Sequence, residues 1–397
     1  MSERMDAPDD VISMTQHLQS HRRRPLVPMS RKRLHIALVY NTFRESTPEN
    51  PHDRGGMADL RAMVRRQARG LRKAGFQVTV LPLASDLLAF QRRLRRLMPD
   101  VVFNQYDDVV YGAKYEMRLA AVVRMMGFPI TGSPALALGL CREKYSTACL
   151  LAGQGIPIPG ETAMLTSIKQ VDERDWQFPL IVQASQEHCG LGLDRNSVVH
   201  SKKALREKVR QVVREFNQPA LAQKFLPGRE FNVGLVGGNK LRVMPLAEVD
   251  YSKLPDGIPP IMSYAAKNME NTIEYKNTSV QCPAHDVEPD VAKRIGQVAA
   301  RAFRAVGGWG YGRVDIRLDE EGNPKVLDIN CNPLLDEGVG LARSAERAGL
   351  KWSKLLKLIV NAALERMPGD IKLPMLPSSS NGMAGHQSGL VVASSAG

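Results

Sequence analysis

The chain has 397 residues, with 54 Lys and Arg against 41 Asp and Glu, for a formal net charge of +13. That length corresponds to two or three average domains, and a content of 43% hydrophobic and 24% charged residues excludes wholesale disorder. No run approaches about 18 uninterrupted apolar residues, which excludes a membrane-spanning helix, and residues 1–33 lack the apolar stretch of a secretory signal. The cysteines are Cys141, Cys149, Cys189, Cys282 and Cys331, an odd set without a C-x-x-C pair. They predict reduced thiols in a cytoplasmic protein, not a disulfide frame or a zinc site.

Both ends read as tails: 1–33 is polar and basic, and 369–397 is rich in Pro, Ser and Gly without periodicity. Between them, Leu34–Tyr40 is a buried-strand run and a helical pattern over 58–74 stops at Gly75. A strand over 76–81, a basic helix over 85–98, a strand at 101–103, a helix over 113–126 and a strand at 128–130 follow. This βαβαβαβ alternation predicts a parallel sheet covered by helices over 34–138. Beyond it come a helix over 142–153, strands at 179–183 and 197–200, a helix over 202–216 and a strand at 221–226. A hairpin over 230–248, a helix over 287–306, two further strands and helices over 339–348 and 352–366 complete the body.

Residues 61–98 hold ten Arg and Lys against the single acid Asp86, a local charge of +9. Arg61, Arg65, Arg69 and Arg72 recur at helical spacing. Solvated helix faces are the plain reading of such a run. An anionic partner such as RNA is the alternative, but no aromatic residues are interleaved and no nucleic-acid motif is present.

The richest segment is Arg313-Val314-Asp315-Ile316-Arg317-Leu318, a turn through Gly322-Asn323-Pro324, and Lys325-Val326-Leu327-Asp328-Ile329-Asn330. Alternation puts Arg313, Asp315 and Arg317 on one face, and Asp328 and Asn330 opposite Leu327 and Ile329. Pairing 318 with 325 would set Asp315 across from Asp328, with Cβ atoms about 4.5–5.5 Å apart, where like charges destabilise. A magnesium ion held by two carboxylates and an amide would remove that penalty, with Arg313 beside it for a developing negative charge. The same pattern also fits a metal-free surface hairpin whose aspartates pair with Arg313 and Arg317.

This stretch resembles the C-terminal motif of ATP-grasp ligases of the D-alanine–D-alanine ligase-like branch. The resemblance runs over about 34–366, and its pieces occur in the expected order. They are Val101-Val102-Phe103-Asn104, Gly127–Ser133, Glu143-Lys144, Phe225-Leu226-Pro227-Gly228-Arg229-Glu230, Ser263-Tyr264-Ala265-Ala266-Lys267, Arg313-x-Asp315 and Asp328-x-Asn330. Neither G-x-x-x-x-G-K-[ST] nor G-x-G-x-x-G is present.

The resemblance implies an α/β and α+β chain of three lobes: a parallel α/β lobe over 34–138 and two lobes, over 139–228 and 229–368, that clasp ATP. It implies an enzyme using ATP and Mg2+ to join a small-molecule carboxylate to an amine through an acyl phosphate. Lys144 and Lys267 would contact phosphates, and Gln183 would stand where the family carries a phosphate-binding lysine. Gln223, Lys224, Phe225 and Leu226 would line the adenine site, and Glu230 would hold the ribose. Asp315, Asp328 and Asn330 would hold magnesium, Arg313 would stabilise the oxyanion, and Glu116 would face the substrate. A nucleic-acid partner and a membrane span are not expected, and a homodimer is left open.

Departures bear on activity. Gln183 replaces a lysine, exchanging a charge-assisted bond of roughly 1.5–3 kcal/mol for a neutral one of about 1. The phosphate loop reads Glu187-His188-Cys189-Gly190-Leu191-Gly192 in place of a Glu-Gly-Ser-Ser type. Gln223 and Asp328 replace glutamates, Leu334 and Leu335 replace a Gly-containing substrate loop, and Tyr40–Glu45 lacks the family's substrate motif. The alternative to a ligase is therefore a degenerate ATP-grasp protein that binds nucleotide weakly and acts through a partner.

Overall fold

The computed structural model describes residues 33–42, 54–83, 86–106, 114–187 and 190–366, with backbone alone at 54–59 and 114–115. Both expected tails (save Arg33), His188, Cys189 and the 43–45 part of the substrate motif lie outside the described residues.

The first part alternates as its periodicity requires: β1 (His35–Asn41), α1 (Arg54–Lys73), β2 (Gln77–Leu83), α2 (Leu87–Leu97), β3 (Val101–Gln105) and α3 (Lys114–Met125). The strands form a parallel sheet in the order β2-β1-β3. Ile36, Ala37, Leu38 and Val39 are all fully buried, because helices cover both faces of the sheet. Gly75 ends α1 with φ +99°, a conformation that glycine adopts without a Cβ penalty. Asp86 caps α2 by accepting from Ala89 N at 2.8 Å. The expected strand at 128–130 is only a one-residue bridge, Val102 to Ile130. Pro129 has no N–H to extend the ladder.

The expected helix over 142–153 is α5 (Lys144–Gly153), and an unexpected helix α4 (Ala135–Arg142) precedes it across a break at Glu143 with φ −99° and ψ 84°. Next come β4 (Ala163–Leu165), α6 (Lys169–Asp172), β5 (Leu180–Ala184), β6 (Val198–Val199), α7 (Lys202–Phe216) and β7 (Ala220–Lys224). Their sheet is antiparallel, in the order β4-β7-β5-β6. The stripe Leu205, Val209 and Val212 of α7 buries itself against Val182 and Ala222. Strand β7 ends at Lys224, so Phe225 and Leu226 lie just beyond it.

The last part comprises β8 (Glu230–Gly237), β9 (Arg242–Val243), β10 (Ala247–Asp250), α8 (Tyr264–Asn268), α9 (Ile273–Asn277), β11 (Ser279–Gln281), α10 (Pro289–Ala305), β12 (Gly310–Leu318), β13 (Pro324–Asn330), α11 (Gly340–Arg347) and α12 (Trp352–Glu365). The sheet order is β11-β10-β8-β12-β13, with β9 paired to β8. The expected 230–248 hairpin thus closes through only two residues of β9, while β10 pairs with the first part of β8. Val64, Ala68 and Leu71 of α1 share one buried cluster with Leu355, Leu356 and Ile359 of α12, so the first and last parts of the chain build a common core.

The β12–β13 register corrects one expectation and keeps its consequence. Leu318 pairs with Pro324 rather than with 325, so the turn is one residue tighter. A bulge follows, because Ile316 pairs with Val326 and Asp315 with Asp328. Leu327 is the extra residue, and it restores Asp315 opposite Asp328 and Arg313 opposite Asn330.

Candidate active site

Strand alternation turns Arg313, Asp315 and Arg317 of β12 toward a cavity of about 340 Å³, and β13 adds Asp328. The bulge turns Leu327 into the same cavity, against the expectation that it lies on the opposite face. Two facing carboxylates about 5 Å apart repel by roughly 3 kcal/mol at an effective dielectric of 20. Both carry a counter-charge. Arg313 grips Asp315 with two bonds, Nε to Oδ1 at 2.6 Å and Nη2 to Oδ2 at 2.8 Å. Asn232 of β8, directly across the ladder, donates Nδ2 to the same Oδ1 at 3.0 Å. Lys144, at the start of α5 and with its side chain only 7% exposed, meets Asp328 Oδ2 at 2.9 Å. Arg317 pairs with Glu230, not with either aspartate.

The donors here are carboxylate and amide oxygens, which suit a hard cation such as Mg2+ bound through one or two carboxylates and substrate phosphates. Among the described residues no group of three His, Cys, Asp or Glu forms a self-sufficient metal cage. Asn330 Oδ1 accepts from Asn332 N at 2.9 Å, and Asn330 is not among the residues that line the cavity.

Lys144, Gln183, Gln223, Glu230 and Lys267 all line the cavity, against an apolar wall of Ile181, Leu191, Ile261, Met262 and Val280. Gln223 is 4% exposed and donates to Thr162 Oγ1 at 3.2 Å. Lys267 is exposed on α8, whose first turn is capped by Ser263 Oγ accepting from Ala266 N at 3.1 Å. Gly190 stands against this turn. A Cβ there would lie 2.8 Å from the backbone of Ser263 and Tyr264, so only glycine lets the two loops meet.

Glu230 is buried and accepts at Oε2 from Tyr251 Oη at 2.9 Å and Arg317 Nη1 at 3.1 Å. Burial raises its carboxyl above the usual range, against the opposing pull of Arg317. Burial, with the Glu230 charge next, also pushes the Tyr251 phenol well up. Arg317 is fixed in turn by Gly228 O at 3.0 Å and Pro260 O at 2.7 Å. Arg317 was legible from alternation as a neighbour of Asp315; Tyr251 and Asn232 had no local signal, since β10 and β8 bring them in.

Other expected residues sit outside the cavity lining. Lys224 donates Nζ to Phe178 O at 3.1 Å, Phe225 lies under the Arg317 guanidinium at 5.0 Å, and Leu226 is buried. Glu116 is 1% exposed, pairs with Arg142 Nη2 at 2.5 Å and also accepts from Asn332 Nδ2. The ion pair is therefore largely buried. Beside the site, Cys141 and Cys331 are free, with Sγ atoms 3.3 Å apart. The bond to Cys331, and then burial, hold the Cys141 thiol well above its usual range.

Residues 156–361 match the family model described as the D-ala D-ala ligase C-terminus. A D-alanine–D-alanine ligase of Chromohalobacter salexigens is 30% identical over 276 residues, covering 68% of this chain and 79% of its own. An uncharacterized protein of Sinorhizobium fredii, y4sG, is 29% identical over 341 residues, covering 84% and 95%. The crystal structure of D-alanine–D-alanine ligase from Bacillus anthracis complexed with ATP superposes with a TM-score of 0.62 at 18% identity, covering 84% of this chain and 98% of that one. The ordered motifs, the three-sheet architecture and these matches agree: the chain belongs to the D-alanine–D-alanine ligase family and has the ATP-grasp fold.

Proposed function

We propose that the protein is an ATP- and Mg2+-dependent ligase that joins a small-molecule carboxylate to an amine through an acyl phosphate. The observation that carries this reading is the facing pair Asp315 and Asp328, each neutralised by a cation, at the end of a cavity that also presents Lys144 and Lys267. Adenine lies against the apolar wall, with Gln223 Oε1 accepting from its amine. Glu230 Oε1, which the Tyr251 and Arg317 bonds leave unused, accepts from the ribose. Lys144 and Lys267 hold the phosphates. Asp315, Asp328 and the amide of Asn330, once it turns from its bond with Asn332 N, would hold magnesium, which would supply charge neutralisation for phosphoryl transfer. Arg313 lies where it can exchange part of its hold on Asp315 for the oxyanion formed when the amine attacks. Orientation and charge neutralisation, rather than a covalent enzyme intermediate, supply the rate.

The test is a screen for phosphate release from ATP across amino acids and dipeptides with Mg2+ present. At least one carboxylate–amine pair is expected to release phosphate. Asp328→Asn should lower that rate at least about a hundredfold, a loss of about 3 kcal/mol in transition-state stabilisation. It should also lower the melting temperature by only a few degrees, because Lys144 loses its partner. Phosphate release unaltered in Asp328→Asn would refute the assignment.

A further inference from the structure

A second groove, sharing no lining residue with the nucleotide cavity, runs between α1 and the edge strand β2. It has a volume of about 520 Å³. One wall is Arg61, Arg65, Arg69 and Arg72 of α1, and the floor includes Tyr40 of β1, Val64 of α1 and Val80 of β2. At 1.5 Å rise per residue the first three arginines recur about every 6 Å along the wall. Like charges at i,i+4 destabilise a helix, and no acid occurs between 60 and 83 to offset them. Arg66 is engaged by Asp336 and Arg72 donates to Val78 O at 3.2 Å. Arg61, Arg65 and Arg69 are exposed and have no ion pair among the described residues.

We infer that this groove binds a single-stranded nucleic acid, with phosphates on Arg61, Arg65 and Arg69 and a base packed on Tyr40 and Val80. A planar guanidinium fork matches a phosphate with two parallel bonds. A cationic track beside an aromatic platform is the combination that holds single strands without sequence preference. The basic run itself has no interleaved aromatic; the parallel pairing of β1 with β2 supplies one from a separate strand. An acidic peptide would satisfy the arginines but give the apolar floor no planar partner. A lipid surface is too flat to enter a recessed groove.

The full chain is titrated into a labelled oligouridylate and followed by anisotropy between about 50 and 200 mM salt. Three neutralised phosphates give an expected slope of log K against log salt near −2, at about −0.7 per phosphate for single strands. The triple variant Arg61→Gln, Arg65→Gln, Arg69→Gln should bind at least tenfold more weakly, with a slope near zero and a melting temperature equal to or above wild type, since the repulsion along α1 is relieved. Tyr40→Leu should weaken binding severalfold with the slope unchanged, because stacking releases no counterions. Wild-type binding by the triple variant overturns the inference. So does displacement of the oligonucleotide by polyglutamate at equal charge concentration, which would mark an acidic protein as the partner. Preference for phosphatidylserine vesicles over the oligonucleotide overturns it as well.

Discussion

Gln183 is the residue at which ligase and degenerate protein part company. It lines the cavity beside Lys144 and Gln223, on β5 and opposite Leu221 of β7. Under the proposed function, a neutral amide stands where the family resemblance implies a phosphate-binding lysine. Gln183→Lys should tighten ATP binding by about 1–2 kcal/mol, the difference between charge-assisted and neutral hydrogen bonds. That is roughly 5- to 30-fold in dissociation constant. The gain should shrink with added salt, though less than for an exposed pair. Titration calorimetry with Mg2+ decides the matter. Equal affinities with a lower melting temperature would mean that the ammonium is partly buried without a phosphate to meet, and would favour the degenerate protein.

At the scale of elements, β12 depends on what packs behind it. Gly312 precedes Arg313 and faces α10, where Phe303 is fully buried. A Cβ at Gly312 would lie 2.2 Å from Phe303 Cε2. Alanine relieves the entropic cost of glycine by about 0.5–1 kcal/mol. Overpacking a rigid aromatic ring costs about 1–3 kcal/mol. Gly312→Ala should therefore be net destabilising, by about 1–2 kcal/mol in urea unfolding, and should displace the strand that carries Arg313 and Asp315. Stability equal to or above wild type would show that α10 can retreat from the strand.

Over the whole molecule, carboxylate pairing sets the response to acid. The Ser252 backbone amide chiefly holds Asp250 below the usual range, and the Arg195 hydrogen bond does so for Glu274. At Asp319 and Asp336 burial is the largest influence and pushes upward. The Asn323 amide and Lys325 outweigh it at Asp319, as Arg66 and the Glu337 amide do at Asp336. A depressed folded-state value contributes stability that is complete above the unfolded value, about 4, and lost as the pH falls through the folded value. Glu230 has the opposite sign: its raised value favours the fold at low pH and ceases to do so as the pH rises through it. With the depressed groups in the majority of those named, the melting temperature should fall steeply below about pH 4. Arg66→Gln should make that fall shallower, since Asp336 loses its bidentate partner. An identical acid slope in the variant would show that Asp336 does not contribute to it.

The alternating first sheet, the α7 and α10 helices, the face that Asp315 occupies and the motif order of the family are all legible in the amino-acid order. All of these follow from periods of 2 and 3.6 or from residues adjacent in the chain, so local steric rules write them into the sequence. What neutralises the aspartates depends on the folded chain. Lys144 and Asn232 reach Asp328 and Asp315 from elements far away in sequence, and no periodicity encodes that meeting. The bulge at Leu327 was equally hidden, because a tight turn and an extra residue cancel in the count from 318 to 328. Burial of Glu116 and the Tyr251–Glu230–Arg317 cluster likewise depend on which sheets and loops close over them. Composition cannot distinguish a solvated carboxylate from a buried one, since the energy that separates them comes from neighbours supplied by the fold.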